Sequence, residues 1–141
     1  MARAVVVYRS RTGVTRRYAE EISSLLRTKG VMTQLVSVGE CDMATLAGAD
    51  FLFLGCWTSG LFVIGQHPDE PWLAFVRDIP PLTEPGPKVA IFTTYMLRTG
   101  GQFGKMRAAL VGRTPAPRLE LQSRNGHLSP ADRAALAQFV A

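Results

Sequence analysis

Residues 4–15 read Ala4-Val5-Val6-Val7-Tyr8-Arg9-Ser10-Arg11-Thr12-Gly13-Val14-Thr15. The first five of these residues form an apolar, β-branched run that is typical of a buried strand. Hydroxyl residues and one glycine follow, and after them Tyr18, Ile22, Leu25 and Leu26 recur at helical spacing. The stretch therefore predicts a strand, a tight loop and a helix in direct succession, and Gly30 is placed to end that helix.

The alternation of strand and helix continues along the rest of the chain. Four further apolar runs predict strands at Val31–Val38, Phe51–Gly55, Val89–Phe92 and Leu119–Leu121. Between and after them the pattern predicts a short helix or turn at Cys41–Ala49 and three helices, with inward residues Trp72, Phe75, Val76 and Ile79, then Phe103, Met106 and Leu110, then Leu136, Phe139 and Val140. Ser129, Pro130 and Asp132 have the spacing of a helix start.

Five strands separated by helices predict an α/β fold, a doubly wound five-stranded parallel sheet with helices on both faces. The chain has 141 residues, 47% of them hydrophobic, which is enough for one core. We therefore expect one domain over residues 1–141. In such sheets ligands bind at the carboxyl ends of the strands. The loops expected to converge there are Arg9–Thr15, Cys56–Pro68 and Thr93–Phe103.

Composition narrows the class of protein. The longest apolar runs are too short to span a bilayer, so no membrane span is expected. Two cysteines are too few for a disulfide framework, which favours a reducing cytoplasm. Lys and Arg number 16 against 11 for Asp and Glu, and the resulting net charge of +5 favours an acidic ligand or partner. Nucleic acid is a weaker candidate because the basic residues are dispersed and lack interleaved aromatics.

The loop Ser10–Thr15 has the chemistry of a phosphate cradle. Its hydroxyls and glycine precede a helix, whose first N–H groups and dipole attract anions. The two-glycine P-loop and the Gly-x-Gly-x-x-Gly dinucleotide turn do not occur here. The alternative is that these residues only cap and turn the chain.

At this loop the sequence resembles the flavodoxins, whose phosphate loop has the form Ser/Thr-x-Thr-Gly-x-Ser/Thr after the first strand. The resemblance extends over essentially the whole chain and is to the short-chain type. It implies that the hydroxyls of Ser10, Thr12 and Thr15, with the backbone of Arg11, Gly13 and Val14, hold the phosphate of FMN. No metal site is expected.

The other two loops resemble the family's flavin loops. In the second loop the resemblance places Trp57 against the ring, beside Thr58, Ser59 and Gly60. Leu61, Phe62 and Ile64 either cover the apolar edge of the ring or anchor the loop in the core. In the third loop it implies contacts from Thr94, Tyr95, Gly100, Gly101 and Phe103, and the alternative is a plain connection with Tyr95 half-buried.

The resemblance implies an FMN-dependent electron-transfer protein that serves a redox partner protein, its flavin cycling between oxidised, semiquinone and hydroquinone states. Two alternatives stay open. One is a small FMN-dependent NAD(P)H or quinone oxidoreductase, and the other is a cofactor-free module that binds an acidic partner or nucleic acid through Arg9, Arg11, Arg16 and Arg17. The chain departs from the acidic family pattern, since Arg11 and Arg98 lie in the expected flavin loops, so we expect an acidic partner and an easier reduction of the flavin.

Two other functions are excluded on specific positions. Receiver domains need clustered acids after the first strand and an Asp at the end of the third, where this chain has Arg9, Ser10 and Gly55. A phosphatase-like Cys-x5-Arg loop fails because Phe62 stands at the arginine position. Cys56 is therefore expected to be a small buried residue.

Overall fold

The computed structural model describes residues 1–61, 64–82 and 86–141. Its strands are β1 (Arg3–Arg9), β2 (Met32–Ser37), β3 (Phe51–Trp57), β4 (Ser59–Leu61), β5 (Ile64–His67), β6 (Lys88–Thr94) and β7 (Leu119–Ser123). Its α-helices are α1 (Val14–Thr28), α2 (Glu70–Arg77), α3 (Gln102–Leu110) and α4 (Pro130–Phe139), and Met43–Leu46 forms a short 3-10 helix.

A five-stranded parallel sheet of order β2-β1-β3-β6-β7 organises the described residues. The strand order reverses beside β1, because the chain first moves outward to β2 and then returns across β1 to β3. In doubly wound folds the crevice at such a reversal binds ligands. The predicted fold class is confirmed.

Helices cover both faces of this sheet. On one face, side chains of α2 and α3, among them Trp72, Phe75 and Met106, pack on alternate residues of the central strands. On the other face α1 and α4 pack against the intervening residues, with Tyr18 and Leu136 fully buried. Because both faces of β3 are covered, its residues 51–56 are all buried, which explains its unbroken apolar sequence.

The ends of the helices follow the signals in the sequence. Gly30 adopts a φ of +79° two residues after α1 ends. Ser129 and Asp132 form a reciprocal capping box at the start of α4. None of the described helices is both long enough and apolar enough to cross a membrane.

All three predicted loops are shorter than expected, and the first spans only residues 10–13 because β1 includes Arg9 and α1 begins at Val14. The segment Cys56–Pro68 is not one long loop, because β3 continues to Trp57 and the antiparallel pair β4–β5 follows. These strands of three and four residues are too short to show a period of two, and their glycines suggested a loop. The third loop spans only residues 95–101, since β6 continues to Thr94 and α3 begins at Gln102. Phe62 and the side chains of Leu61 and Ile64 lie outside the described part, so their two alternatives stay open.

Candidate cofactor-binding site

A cavity of about 350 Å³ opens at the carboxyl edge of the sheet. This volume lies within the usual range for small-molecule sites. The three predicted loops contribute to it, together with β5 and the segment that follows β7. Its lining consists of Arg11, Thr12, Val14, Thr15, Trp57, Thr58, Ser59, Gly60, Gln66, Thr94, Tyr95, Met96, Leu97, Arg98 and Arg124.

The amino end of α1 lacks a side-chain cap. The helix is preceded by Gly13, whose φ of +99° lies in the left-handed region that favours glycine. Ser10 Oγ accepts the Gly13 N–H at 3.0 Å, which closes the loop on itself. No acidic residue occurs in the first turn of α1. The helix dipole and the first N–H groups are thus left to an external anion.

Buried hydroxyl groups join the first loop to the strands below it. Thr15 Oγ1 lies 2.6 Å from Thr94 Oγ1, which ties the start of α1 to the end of β6. Thr93 Oγ1 donates to the carbonyl oxygen of Cys56 at 2.6 Å and lies 2.9 Å from Thr58 Oγ1. These bonds fix the ends of β3 and β6 relative to each other.

Gln102, at the start of α3, extends the network behind the cavity. Its Nε2 donates to the Trp57 carbonyl oxygen at 3.0 Å and to Thr93 Oγ1 at 3.2 Å. The side chain is fully buried. It therefore holds the backbone of Trp57 in place from below the site.

The indole of Trp57 is oriented by a buried carboxylate. Its Nε1 donates to Asp69 Oδ2 at 2.7 Å, and Arg9 Nε donates to the same oxygen, also at 2.7 Å. The other oxygen of Asp69 accepts the Trp72 N–H at 3.2 Å and so caps α2. Asp69, 8% exposed, thereby joins the end of β1, the second loop and α2.

Arginines lie over both aromatic rings of the cavity. The guanidinium carbon of Arg11 is 5.1 Å from the centroid of the Trp57 ring, and that of Arg124 is 5.5 Å from the Tyr95 ring. Both distances are within the range of cation–π attraction. One face of each ring is thus covered by a cation, and a flat ligand must stack on the other face or displace the arginine.

Glycines allow the second and third loops to approach closely. Gly60 has a φ of +123°, and a Cβ there would lie 2.6 Å from the Gly65 carbonyl oxygen. Gly100 has a φ of +50°, and a Cβ there would overlap the side chain of Gln66. Gln66 is buried and lines the cavity from β5. These contacts bring the hairpin and the third loop together.

The thiol at the base of the site is inert. Burial raises the pKa of Cys56, whose side chain is fully buried beside Asp69. A raised pKa keeps the thiol protonated at neutral pH, so it is a poor nucleophile.

Most of the residues singled out from the sequence lie around this cavity. Ten of them line it, namely Arg11, Thr12, Val14, Thr15, Trp57, Thr58, Ser59, Gly60, Thr94 and Tyr95. The other five, Ser10, Gly13, Gly100, Gly101 and Phe103, are not among the lining residues. Ser10, Gly13 and Gly100 act on the shape of the loops, whereas Phe103 packs against the core.

Five lining residues were not among the proposed contacts: Gln66, Met96, Leu97, Arg98 and Arg124. Gln66 lies on β5, which the sequence pattern does not reveal as a strand, and Arg124 follows β7, the last strand, whose loop is not one of the three expected to converge. The sequence predicts the fifth strand only as far as Leu121, whereas β7 ends at Ser123. Arg124 therefore lies directly after the strand, at the carboxyl edge of the sheet where ligands bind.

The lining suits a phosphorylated flavin. Hydroxyls and an uncapped helix end suit a phosphate, and the aromatic rings of Trp57 and Tyr95 suit a flat heterocycle. The left-handed Gly60 and Gly100 leave backbone groups near the cavity without a Cβ to cover them. The residues present therefore fit FMN.

The family model for flavodoxin matches residues 6–113. The two-electron reduced flavodoxin of Megasphaera elsdenii is similar in fold, with a TM-score of 0.81 and 21% identity over 98% of this chain and 99% of that one. Two others, a Streptococcus pneumoniae TIGR4 flavodoxin and the oxidised flavodoxin 2 of Bacillus cereus, each give a TM-score of 0.75 over 98% of this chain and 94% of theirs, at 19% and 20% identity.

Proposed function

This chain belongs to the flavodoxin family, and on that premise we propose that it binds FMN in the described cavity and carries electrons between partner proteins. The family and the fold imply FMN-binding electron transfer. The observation that carries the proposal for this chain is the convergence of the uncapped start of α1 with two aromatic loops around one cavity. In this proposal residues 1–141 act as one domain.

The phosphate group is assigned to the first loop. The hydroxyls of Thr12 and Thr15 would donate to phosphate oxygens, and the free N–H groups at the start of α1 would do the same. Ser10 would act mainly through its bond to the Gly13 N–H, which keeps the loop closed. Arg11 would add a positive charge to the loop while covering Trp57.

The ring system is assigned to the space between the second and third loops. Trp57 and Tyr95 would supply apolar faces, and Thr58, Ser59 and Gly60 polar groups at the edge of the ring. FMN supplies the electron chemistry when bound, and no side chain need act as a catalyst. The chain's part is to hold the ring, exclude water from its faces and set its potential.

The two alternative functions receive less support. The basic group proposed for the cofactor-free module is partly neutralised, since Arg9 pairs with Asp69 and Arg16 with Glu20. No described residue favours the oxidoreductase over the electron carrier, and an assay with NAD(P)H and a quinone distinguishes the two functions. We also place the protein in the cytoplasm, which the two unpaired cysteines support.

Absorbance of the purified protein tests the proposal. We expect a yellow protein with the visible bands of a flavin, or uptake of FMN by the stripped chain when FMN is added in excess. The matched comparison is riboflavin, which has the same ring without the phosphate and should bind more weakly. A colourless chain that takes up no FMN would contradict the proposal. Steady oxidation of NAD(P)H in the presence of a quinone, with no added reductase, would favour the oxidoreductase instead.

A further inference from the structure

Positive charge is concentrated at the mouth of the cavity. Arg11, Arg98 and Arg124 line it, one from each of three separate loops, and all three are exposed. No aspartate or glutamate occurs among the lining residues that the structure describes. The field at the opening is therefore positive and attracts anionic surfaces.

These arginines differ from the basic residues elsewhere on the molecule. Several others are neutralised in ion pairs, namely Arg9 with Asp69, Arg16 with Glu20, Arg77 with Glu70 and Arg107 with Glu120. Within residues 1–61, 64–82 and 86–141, no ion pair involves the three arginines of the mouth. Two of them lie over aromatic rings instead. Their charge is thus available to an external partner.

An exposed apolar pair lies among these charges. Met96 is 83% exposed and Leu97 is 52% exposed, and they are consecutive in the third loop, directly before Arg98. Exposed apolar side chains next to a ligand cavity mark interaction surfaces, and methionine and arginine are both enriched at protein interfaces. This combination of an apolar centre with a charged rim is that of a protein-docking surface.

We propose that the basic mouth, defined as Arg11, Met96, Leu97, Arg98 and Arg124, docks the acidic face of a redox partner protein. The inference rests on the proposed function, because docking here brings the partner next to the cavity. A protein is favoured over single-stranded nucleic acid because binders of the latter offer open aromatic faces to the bases. Here both Trp57 and Tyr95 already carry an arginine on one face.

Charge reversal at two positions tests the inference against a matched control. The test variant is Arg98→Glu with Arg124→Glu. The control is Lys29→Glu with Arg118→Glu, which makes the same change in net charge at the opposite edge of the sheet. Lys29 follows α1 and Arg118 precedes β7, and both are exposed.

Electron transfer is measured by stopped flow with two probes of opposite charge. A reduced, acidic [2Fe–2S] ferredoxin serves as the donor to the FMN-loaded protein, and basic cytochrome c serves as the acceptor from its reduced form. At low salt the test variant should react roughly tenfold more slowly with the ferredoxin and faster with cytochrome c, and these differences should shrink as salt screens the charges. The control should change either rate by less than about twofold, since its charges lie far from the mouth. Equal effects of the two variants, or none, would overturn the inference.

Binding of the same ferredoxin, measured by calorimetry at low salt, separates this inference from the proposed function. The binding measurement does not require flavin. If the chain takes up no FMN, the proposed function fails, while a dissociation constant raised roughly tenfold by the test variant alone still supports the basic mouth. If FMN binds but both variants bind ferredoxin like the unchanged protein, only the docking inference fails.

Discussion

Asp69 is the residue on which the shape of the second loop depends. One of its oxygens accepts from both Trp57 and Arg9, and the other caps α2. Removal of a buried hydrogen-bonding charge leaves its partners unsatisfied, which costs on the order of 1–3 kcal/mol. The hydrogen bonds of Asp69 cannot be predicted from a local sequence pattern, because Trp57 is 12 residues and Arg9 is 60 residues away from it along the chain.

We expect Asp69→Asn to lower the free energy of unfolding by about 1–3 kcal/mol and to weaken FMN binding. The reason is that the neutral side chain loses the Arg9 ion pair and offers one acceptor fewer to Trp57 and Trp72. Denaturant titration and FMN titration measure the two effects. A double-mutant cycle that combines Asp69→Asn with Trp57→Phe isolates the hydrogen bond between the indole and the carboxylate. A coupling energy near zero would contradict a stabilising role for that bond.

Asp42→Asn provides a matched control for this substitution. Asp42 also caps a helix, the 3-10 helix Met43–Leu46, by accepting the Ala44 N–H. It is exposed and does not line the cavity. Its replacement should therefore leave FMN affinity unchanged.

Arg98 belongs to the residues whose charge acts on the cavity. A positive charge near a ring that gains electrons favours reduction, so Arg98→Glu should make the potential of bound FMN more negative. Because Arg98 is exposed, solvent screens the effect to on the order of tens of millivolts. Potentiometric titration measures the shift, and Arg118→Glu, on the far edge of the sheet, is the control. An unchanged or higher potential in the Arg98 variant would refute the assignment.

At the scale of elements, the contact between α1 and the loop before α4 depends on Glu21. Its carboxylate accepts the Leu128 N–H at 2.9 Å and pairs with His127 Nδ1. Burial alone would raise the pKa of Glu21, but the hydrogen bonds from Leu128 and His127 outweigh it, and the pKa is lowered. A lowered pKa means that the ionised form is favoured in the folded state.

Glu21→Gln should therefore destabilise the fold at neutral pH by about 0.5–1 kcal/mol. The stabilisation by Glu21 is present above its ordinary pKa of 4.5 and is lost as the pH falls through the lower folded value, so the difference between the two proteins should shrink there. Urea titrations at several pH values measure it. Glu20→Gln, at an exposed ion pair one residue earlier, should change stability by no more than a few tenths of a kcal/mol. A difference for Glu21→Gln that grows with acidity would contradict the prediction.

The elements of the main sheet could be read from the sequence because each has a strong local pattern. The apolar run of β3 and the Ser129–Asp132 capping box are examples, and both form as expected. The hairpin β4–β5 could not be predicted from the sequence. Its pairing depends on two glycines with positive φ, Gly60 and Gly65, rather than on an alternation of apolar and polar residues. Because the sequence pattern does not predict this hairpin, it also does not predict that Gln66 lines the cavity.

At the scale of the whole molecule, bound FMN should stabilise the fold by mass action. Free FMN at about 100 times its dissociation constant raises the free energy of unfolding by roughly 2.7 kcal/mol. For a chain of this size, that increase corresponds to a rise in Tm of about 5–10 °C. Riboflavin at the same concentration should raise Tm less, because it cannot use the uncapped start of α1. Thermal unfolding followed by circular dichroism measures both. Equal shifts with the two compounds would argue against a phosphate site in the first loop.

The hydroxyl pair of Thr58 and Thr93 limits which edge of a heterocycle can face it. Thr93 Oγ1 gives its single hydrogen to the Cys56 carbonyl oxygen, so the hydrogen between the two threonines must come from Thr58. Thr58 then has only lone pairs left for the cavity that it lines. The cavity therefore selects an occupant by polarity as well as by shape. The ligand atom beside Thr58 must be a hydrogen-bond donor, and a ligand edge that carries only acceptors is disfavoured there.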